Sequence, residues 1–369
     1  MKIAFVITRS DAVGGAHIHV RDLAEALLVQ GHQAIVALGG GKGHFTDDLD
    51  ERKIPWADIA ALQRSINPLA DIRAYLGLKR FMLEWQPDLV STHSSKAGIL
   101  GRLAARRAGI PAIFTAHGWS FTEGVSRSSR RLYERIERFA APLSKRIITV
   151  SEFDYQLALT KGVADQSRMV CVHNGMPLLK DVASARPERQ PPQLIMVARF
   201  EEQKNHGLLI RALAPLKHLP WTLSLVGGGP LENEIRELVA QLGLHDRVAF
   251  LGARRDVPQL LKDSQLFVLS SNWEGFPRSI LEAMRAGLPV VATNVAGTSE
   301  SVVGGVTGLL VPKGNEAALT SALKAYIESP DLRSAAGGAG RERYLQNFTF
   351  DHMFQKTLAV YREALGQNT

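Results

Sequence analysis

Short apolar runs alternate with helical segments from one end of the chain to the other, and that rhythm constrains the fold more than any other feature. Runs at 2–8, 33–38, 89–92, 112–115, 146–150 and 169–172 occupy the first half, and runs at 194–197, 222–226, 248–251, 266–269, 290–292 and 308–311 the second. Such continuous runs suit strands covered on both faces. The segments between them carry a helical period. At 231–242, Leu231, Ile235, Leu238, Val239 and Leu242 line one face and Gly243 ends it. Strand, helix and strand in alternation imply an α/β chain of parallel sheets with helices on both faces. The 369 residues suffice for two such domains of six strands each. Asn174-Gly175 and the Pro- and Arg-rich stretch 178–193 mark a turn and linker between them.

The chemistry-bearing residues follow the apolar runs. After 266–269 comes Ser271-Asn-Trp-Glu-Gly-Phe-Pro-Arg-Ser279, then a helix to Ala286 that Gly287 stops. Pro277 at the first helical position gives up an N–H that has no partner there anyway. The helix start after Phe276, with Arg278 and Ser279, is an anion site by its free N–H groups and dipole. Glu274 in the loop and Glu282 in the helix can accept from hydroxyls. After 194–197, Arg199 and Lys204 stand in a loop that leads into a helix; Arg grips phosphate oxygens as a fork and Lys as a point charge. Gly14-Gly15 follows the first run, Gly227-Gly-Gly229 the run at 222–226, and Gly252 the run at 248–251. Glycine admits close approach of a ligand to the backbone, although a Gly-Gly turn alone is commonly just a turn. Thr115-Ala-His-Gly-Trp119 puts His117 at a strand's carboxyl end, where open α/β sheets bind ligands. His93, Ser94 and Ser95 end the preceding run, and His17 and His19 lie near the first loop. These histidines form no metal-ligand pattern, and no Asp-x-Asp motif for a divalent ion is present.

Glu274 and Glu282 resemble the Glu-x7-Glu motif of the retaining glycosyltransferases of family 4, and Arg199 and Lys204 resemble that family's Arg-x4-Lys pair. The resemblance runs over nearly the whole chain. It implies the GT-B fold, two facing Rossmann-like domains: residues 1–174 as an acceptor domain, with the last helix, 352–369, packing back on it, and 175–351 as a donor domain. It implies roles too. Arg199 and Lys204 would hold the donor diphosphate, Glu274 the sugar hydroxyls and Glu282 the ribose. Gly14, Gly15 and Gly228 would lie at the donor, the segment with Gly252 at the base, and His117 at the transferred sugar. No protein nucleophile and no metal are implied. Where many relatives have glycine, this chain has Pro277, so phosphate contacts must come from residues after it. The Glu-Gly-Phe-Pro variant looks like that of enzymes building bacterial surface polysaccharides, often from UDP-sugars. A sugar-nucleotide 2-epimerase and a non-catalytic nucleotide-sugar binding protein are the rival readings.

Charge adds a second surface. The net +8 divides as 23 basic and 17 acidic residues over 1–175 against 21 and 19 over 176–369, and between Lys79 and Arg146 the count is 13 to 5. Lys96, Arg102, Arg106 and Arg107 fall on one predicted helix. On the next, Arg127, Arg131, Arg135 and Arg138 share a face, Leu132, Tyr133, Ile136, Phe139 and Ala140 share another, and Glu134 and Glu137 dilute the charge. Such a face can rest on anionic lipid, or it is a solvated face with pairs such as Arg130–Glu134. No apolar run reaches the ~20 residues of a membrane span. A lone cysteine, Cys171, forms no internal disulfide and has no basic neighbour to activate it. The expectation is a cytoplasmic protein held peripherally at the inner face of the membrane. Nucleic acid is not expected as a partner, since no reading motif is present.

Overall fold

The computed structural model describes residues 1–11, 14–122, 124–179 and 184–367. Residues 180–183 of the expected linker and the last two residues of the C-terminal segment lie outside the described residues. The chain divides into two units, Met1–Asn174 with Met353–Thr369, and Gly175–His352.

In the first unit the strands are β1 (Lys2–Val6), β2 (Gln33–Leu38), β3 (Trp56–Asp58), β4 (Leu89–His93), β5 (Ala112–Ala116), β6 (Arg146–Thr149) and β7 (Met169–Cys171). They form one sheet in the order β3-β2-β1-β4-β5-β6-β7, every pair parallel. This sheet has seven strands, not the six expected. The extra strand is a three-residue edge, Trp56-Ala-Asp58, too short to stand out as an apolar run. The helices are α1 (Gly15–Val29), α2 (His44–Glu51), α3 (Pro68–Trp85), α4 (Ser95–Ala108), α5 (Arg127–Ala140) and α6 (Glu152–Thr160).

In the second unit β8 (Gln193–Val197), β9 (Thr222–Val226), β10 (Val248–Phe250), β11 (Leu266–Leu269), β12 (Val290–Thr293) and β13 (Gly308–Val311) form a parallel sheet ordered β10-β9-β8-β11-β12-β13. Its helices are α7 (His206–Leu213), α8 (Glu232–Gln241), α9 (Val257–Asp263), α10 (Arg278–Ala286), α11 (Thr298–Ser301), α12 (Glu316–Glu328) and α13 (Pro330–Asn347); α14 (Phe350–Ala364) follows and from Met353 on belongs to the first unit. Pro277 is the residue before α10, not its first. Phe348 and Thr349 are not helical, because their backbones serve elsewhere. Met176 N–H donates to the Phe348 carbonyl at 3.0 Å, and Phe350 N–H to the Met176 carbonyl at 2.8 Å.

Both sheets are buried on two faces, which is why their strands read as unbroken apolar runs. Around β1 and β4, Val6, Val90, Ala97 and Ala104 pack with Leu78 and Met82 of α3. The α5 surface shows what the helical period alone leaves open. Leu132 and Phe139 are exposed, while Glu134 and Glu137 turn inward. The reason is a buried partner: Arg102 of α4 is fully buried, 3.0 Å from the Glu137 carboxylate, donates to the Gly98 carbonyl at 2.7 Å, and lies over the Phe114 ring. Glu134 pairs with Lys161 at 3.1 Å. Arg102 thus leaves the basic surface, and Lys96 pairs with Asp71.

Burial pushes the Glu137 carboxyl up against the pull of Arg102. Glu137→Ala strands a buried guanidinium and should cost about 3–5 kcal/mol of stability, whereas Glu137→Gln keeps an acceptor and should cost less. Denaturant unfolding checks this, and equal losses in the two variants would count against it.

Candidate active site

In the second unit the strand order reverses direction between β8 and β11, and the loops leaving their carboxyl ends are the ones that carry Arg199, Lys204 and Glu274. Open α/β sheets bind ligands at this position. The two loops are tied together by polar contacts. Asn272 N–H donates to the Gln203 carbonyl at 2.7 Å, Asn272 Nδ2 to the Glu202 carbonyl at 2.8 Å, and Gln203 Nε2 to the Trp273 carbonyl at 2.9 Å. Ser270 Oγ donates to the Asn205 carbonyl at 3.0 Å, and Asn205 Nδ2 to Asn272 Oδ1 at 3.1 Å. Asn205 takes a left-handed φ of 46° and caps α7 through its side-chain Oδ1, which accepts from Leu208 N–H at 3.2 Å.

This lacing brings Lys204 Nζ onto the Glu274 carboxylate as a largely buried ion pair, with Ser271 Oγ donating to the same oxygen at 2.6 Å. Lys204 and Glu274 therefore form one pair and are not independent groups. An ammonium has three donors, so Lys204 can keep Glu274 and still reach an anion. Arg199 is half-exposed and pairs with Glu201 at 2.9 Å. Ser271, Asn272 and Gln203 had no role in the sequence reading. They are short polar residues inside the two motifs, and that is the signal that could have found them.

His206, beside the pair, is buried and stacks on Phe200 with centroids 4.2 Å apart. Burial first, and then Lys204, lowers its pKa to about 4. It is a neutral packing residue.

Other glycines divide by role. A Cβ on Gly227 would fall 2.1 Å from the Ala198 carbonyl oxygen, and one on Gly229 2.5 Å from that of Phe200, so both serve backbone packing against the Arg199 loop. Gly228 between them faces open space, and Gly252 has φ +66° with nothing near its Cβ position. Phe276 is buried and tilts against Phe348 at 5.4 Å. Arg278 is buried as well; Ser279 follows it in the first turn of α10. Glu282, one turn on, borders a small pocket with Pro258, Leu261, Arg285 and Tyr344. Glu274 and Glu282 therefore front different neighbours.

The first unit reverses strand order between β1 and β4. Gly14 precedes α1 in extended backbone, and its N–H lies 3.4 Å from His17 Nδ1; Gly15 opens the helix. Ser94, directly after β4, holds a left-handed φ of 68° and contacts Thr8 through its hydroxyl. Against the sequence expectation, histidines do converge here: ring nitrogens of His19, His93 and His117 lie within 4.8 Å of one another. His19 and His93 are buried and His117 is partly exposed. His17 Nε2 stands apart, 3.2 Å from the Arg9 carbonyl. Cys171 also gains a neighbour the sequence reading denied it, with His173 Nε2 3.9 Å from Sγ. Residues two apart at a strand end share a face.

Comparison with known proteins agrees with this arrangement. Residues 14–175 match the family described as Glycosyl transferase 4-like domain, and residues 180–343 that described as Glycosyl transferases group 1. The chain is 32% identical, over 73% of its length and 73% of the relative's, to the UDP-Gal:alpha-D-GlcNAc-diphosphoundecaprenol alpha-1,3-galactosyltransferase of Escherichia coli. It is 28% identical to the putative glycosyltransferase EpsD of Bacillus subtilis, over 86% and 88% of the two chains. In fold it is similar to a glycosyltransferase from Rickettsia africae, with a TM-score of 0.82 at 24% identity over 100% and 99% of the chains. It is likewise similar to HepE of Anabaena in complex with UDP-glucose, with a TM-score of 0.84 at 24% identity over 98% and 100%.

Three expectations follow. Lys204→Ala should lower kcat/KM on the order of 100-fold. In a cycle of Lys204→Met with Glu274→Gln the losses should fall short of additive by at least about 1 kcal/mol, and strict additivity would show that the pair does not act as a unit. For His206, the unfolded chain titrates near 6.5 and the folded one near 4. Stability is therefore complete above pH 6.5 and is lost as pH falls toward 4, by roughly 3 kcal/mol in all. His206→Phe should flatten that part of the pH–stability curve, and an unchanged slope would count against the assignment.

Two parallel sheets with polar residues at both reversal points, matched by family over 14–175 and 180–343 and by a relative at 32% identity, leave one assignment: the chain belongs to the group 1, family 4-like glycosyltransferases.

Proposed function

We propose that the protein transfers a hexose, with retention of configuration, from a UDP-sugar to a sugar carried on a polyprenyl diphosphate, in the assembly of a bacterial surface polysaccharide. The observation that carries the donor half is the Lys204–Glu274 pair held where the sheet reverses. The bond that breaks joins the anomeric carbon to a diphosphate oxygen. Negative charge grows on the departing phosphates, where Lys204, Arg199 and the start of α10 can meet it. Positive charge grows on the sugar, beside the Glu274 carboxylate. The acceptor hydroxyl adds to the same face, and its proton goes to a donor phosphate oxygen, so the reading uses no protein nucleophile and no divalent ion. Glu282 is assigned to the ribose, supported by its place on a pocket wall with Pro258 and Leu261. The E. coli relative, whose name gives UDP-Gal and a diphosphoundecaprenol acceptor, supports the substrate classes.

The acceptor class also asks for a membrane surface. Among the described residues no helix is long and apolar enough to cross one. Along α3, Leu69, Ile72, Leu76 and Leu83 are exposed at helical spacing, and α5 exposes Leu132 and Phe139 next to Arg127, Arg131, Arg135 and Arg138. α4 packs against both helices, so these faces belong to one layer of the first unit. Exposed apolar side chains among cations suit an anionic interface, each cation adding about 1 kcal/mol. The test supplies labelled UDP-, GDP- and ADP-sugars and a polyprenyl-diphosphate sugar in anionic and in neutral liposomes, with and without EDTA. Lipid-linked product and free UDP are expected only when the acceptor is present, unaffected by EDTA, with protein sedimenting on anionic vesicles and released by salt. Gln at the four α5 arginines should weaken sedimentation and spare donor binding. Free UDP without acceptor, or EDTA inactivation, counts against the reading, and equal sedimentation of the quadruple variant counts against the surface.

A further inference from the structure

Three buried side chains of the first unit form a hydrogen-bonded line that ends on His117. The Tyr361 hydroxyl of α14 lies 2.8 Å from Ser91 Oγ on β4. Ser91 Oγ lies 3.0 Å from His93 Nε2, and His93 Nδ1 lies 3.0 Å from His117 Nε2. Ser91 and His93 are 0% exposed and Tyr361 1%, so no bulk water competes along the line.

Burial sets the direction in which the protons point. Burial raises the Tyr361 pKa, so the phenol stays protonated, and a buried O–H without an acceptor costs about 1–3 kcal/mol. Ser91 Oγ is the acceptor beside it. The Ser91 proton then has one acceptor left within reach, His93 Nε2, to which it is donated. Burial, reinforced by His117 and His17, holds His93 well below the usual histidine range, so it is neutral and carries one ring proton. Since Nε2 accepts, that proton sits on Nδ1 and is donated to His117 Nε2. The reverse direction would leave the Tyr361 proton with no acceptor. The ionisable groups facing His93 are His17, His19, His117 and, through Ser91, Tyr361.

We infer that Tyr361, Ser91 and His93 are positioning residues that fix His117 as the neutral tautomer with its proton on Nδ1. In that state His117 presents a hydrogen-bond donor, not an acceptor, at Nδ1. This rests on the reading that places His117 at the transferred sugar. It also decides between a proton and a metal ion among the three imidazoles. Their nitrogens are close enough to share an ion, but a protonated His93 Nδ1 has no lone pair to ligate one.

Long-range proton–nitrogen NMR spectra of the full chain labelled at histidine, with His117→Gln to assign the ring, read the tautomer directly. The expected result is a protonated Nδ1 and an unprotonated Nε2 on His117. Tyr361→Phe and Ser91→Ala should mix the tautomers and lower kcat on the order of 10-fold, the scale on which orienting partners act, with donor KM unchanged. His93→Asn, whose amide can still donate, should retain more kcat than His93→Ala. A protonated Nε2 in the wild type, a tautomer indifferent to Tyr361→Phe, or one equivalent of zinc per chain lost in His93→Ala would overturn the inference. Wild-type turnover in His117→Gln would instead defeat the reading of His117 at the sugar, leaving the spectra to decide the tautomer.

Discussion

In each unit the first strand pairs on one side with the second and on the other with a strand reached only after crossing the sheet: β1 lies between β2 and β4, and β8 between β9 and β11. Connections from neighbouring strands therefore leave in opposite directions at that one place and open a crevice above their carboxyl ends. Every parallel strand ends in a loop at the same edge, so residues far apart in sequence are delivered to one spot. Lys204 and Glu274 are 70 positions apart, and His93 and His117 are 24 apart. The candidate chemistry follows from the strand order, and the loops only have to supply side chains of the right reach.

What surrounds those side chains decides what they can do. Glu137 and Glu274 are both largely buried glutamates facing a cation, yet their settings differ. Glu137 meets Arg102 among Gly98, Phe114 and the β-sheet, with nowhere for a ligand to enter. Glu274 meets Lys204 in a loop whose neighbours are serine, asparagine and glutamine. The first pair is a closed structural contact whose breaking leaves a charge in the core. The second sits on a polar frame at the strand ends, where an arriving anion can compete for the ammonium.

The sequence made the sheets legible because strands buried on both faces must be apolar along their whole length; the runs at 33–38, 222–226, 266–269 and 308–311 coincide with strands residue for residue. It hid β3, whose Trp56-Ala-Asp58 is an edge with no run to show. At α5 the helical period grouped Leu132 with Phe139 but could not show that Glu134 and Glu137 turn inward; the deciding fact, a buried arginine on α4, belongs to a different helix. In the candidate site, strand ends could be read locally, so the loops of Lys204 and Glu274 were visible. Their mutual contact was not, since spacing along a chain carries no information about which loop faces which. His93 was visible only as a strand-end histidine. Tyr361, which reaches it only through Ser91, lies 270 positions from Ser91, and nothing in the intervening pattern links the two.

The polar clusters at the two reversal points hold their side chains in opposite ways, and the contrast has a physical logic. In the second, cations stand half-exposed or paired in loops, where charge is retained and can be offered to phosphate. In the first, His93 is drawn into the sheet, where burial disfavours its charge and leaves directional hydrogen bonding. A diphosphate is recognised through charge, which tolerates small displacements because Coulomb forces fall slowly with distance. A sugar hydroxyl is recognised through the direction of a single N–H or lone pair, and that requires a ring whose tautomer and orientation cannot drift. Burying Ser91, His93 and Tyr361 along one line costs desolvation that an exposed histidine would avoid, and the return is an imidazole held in one state by groups that water cannot reach.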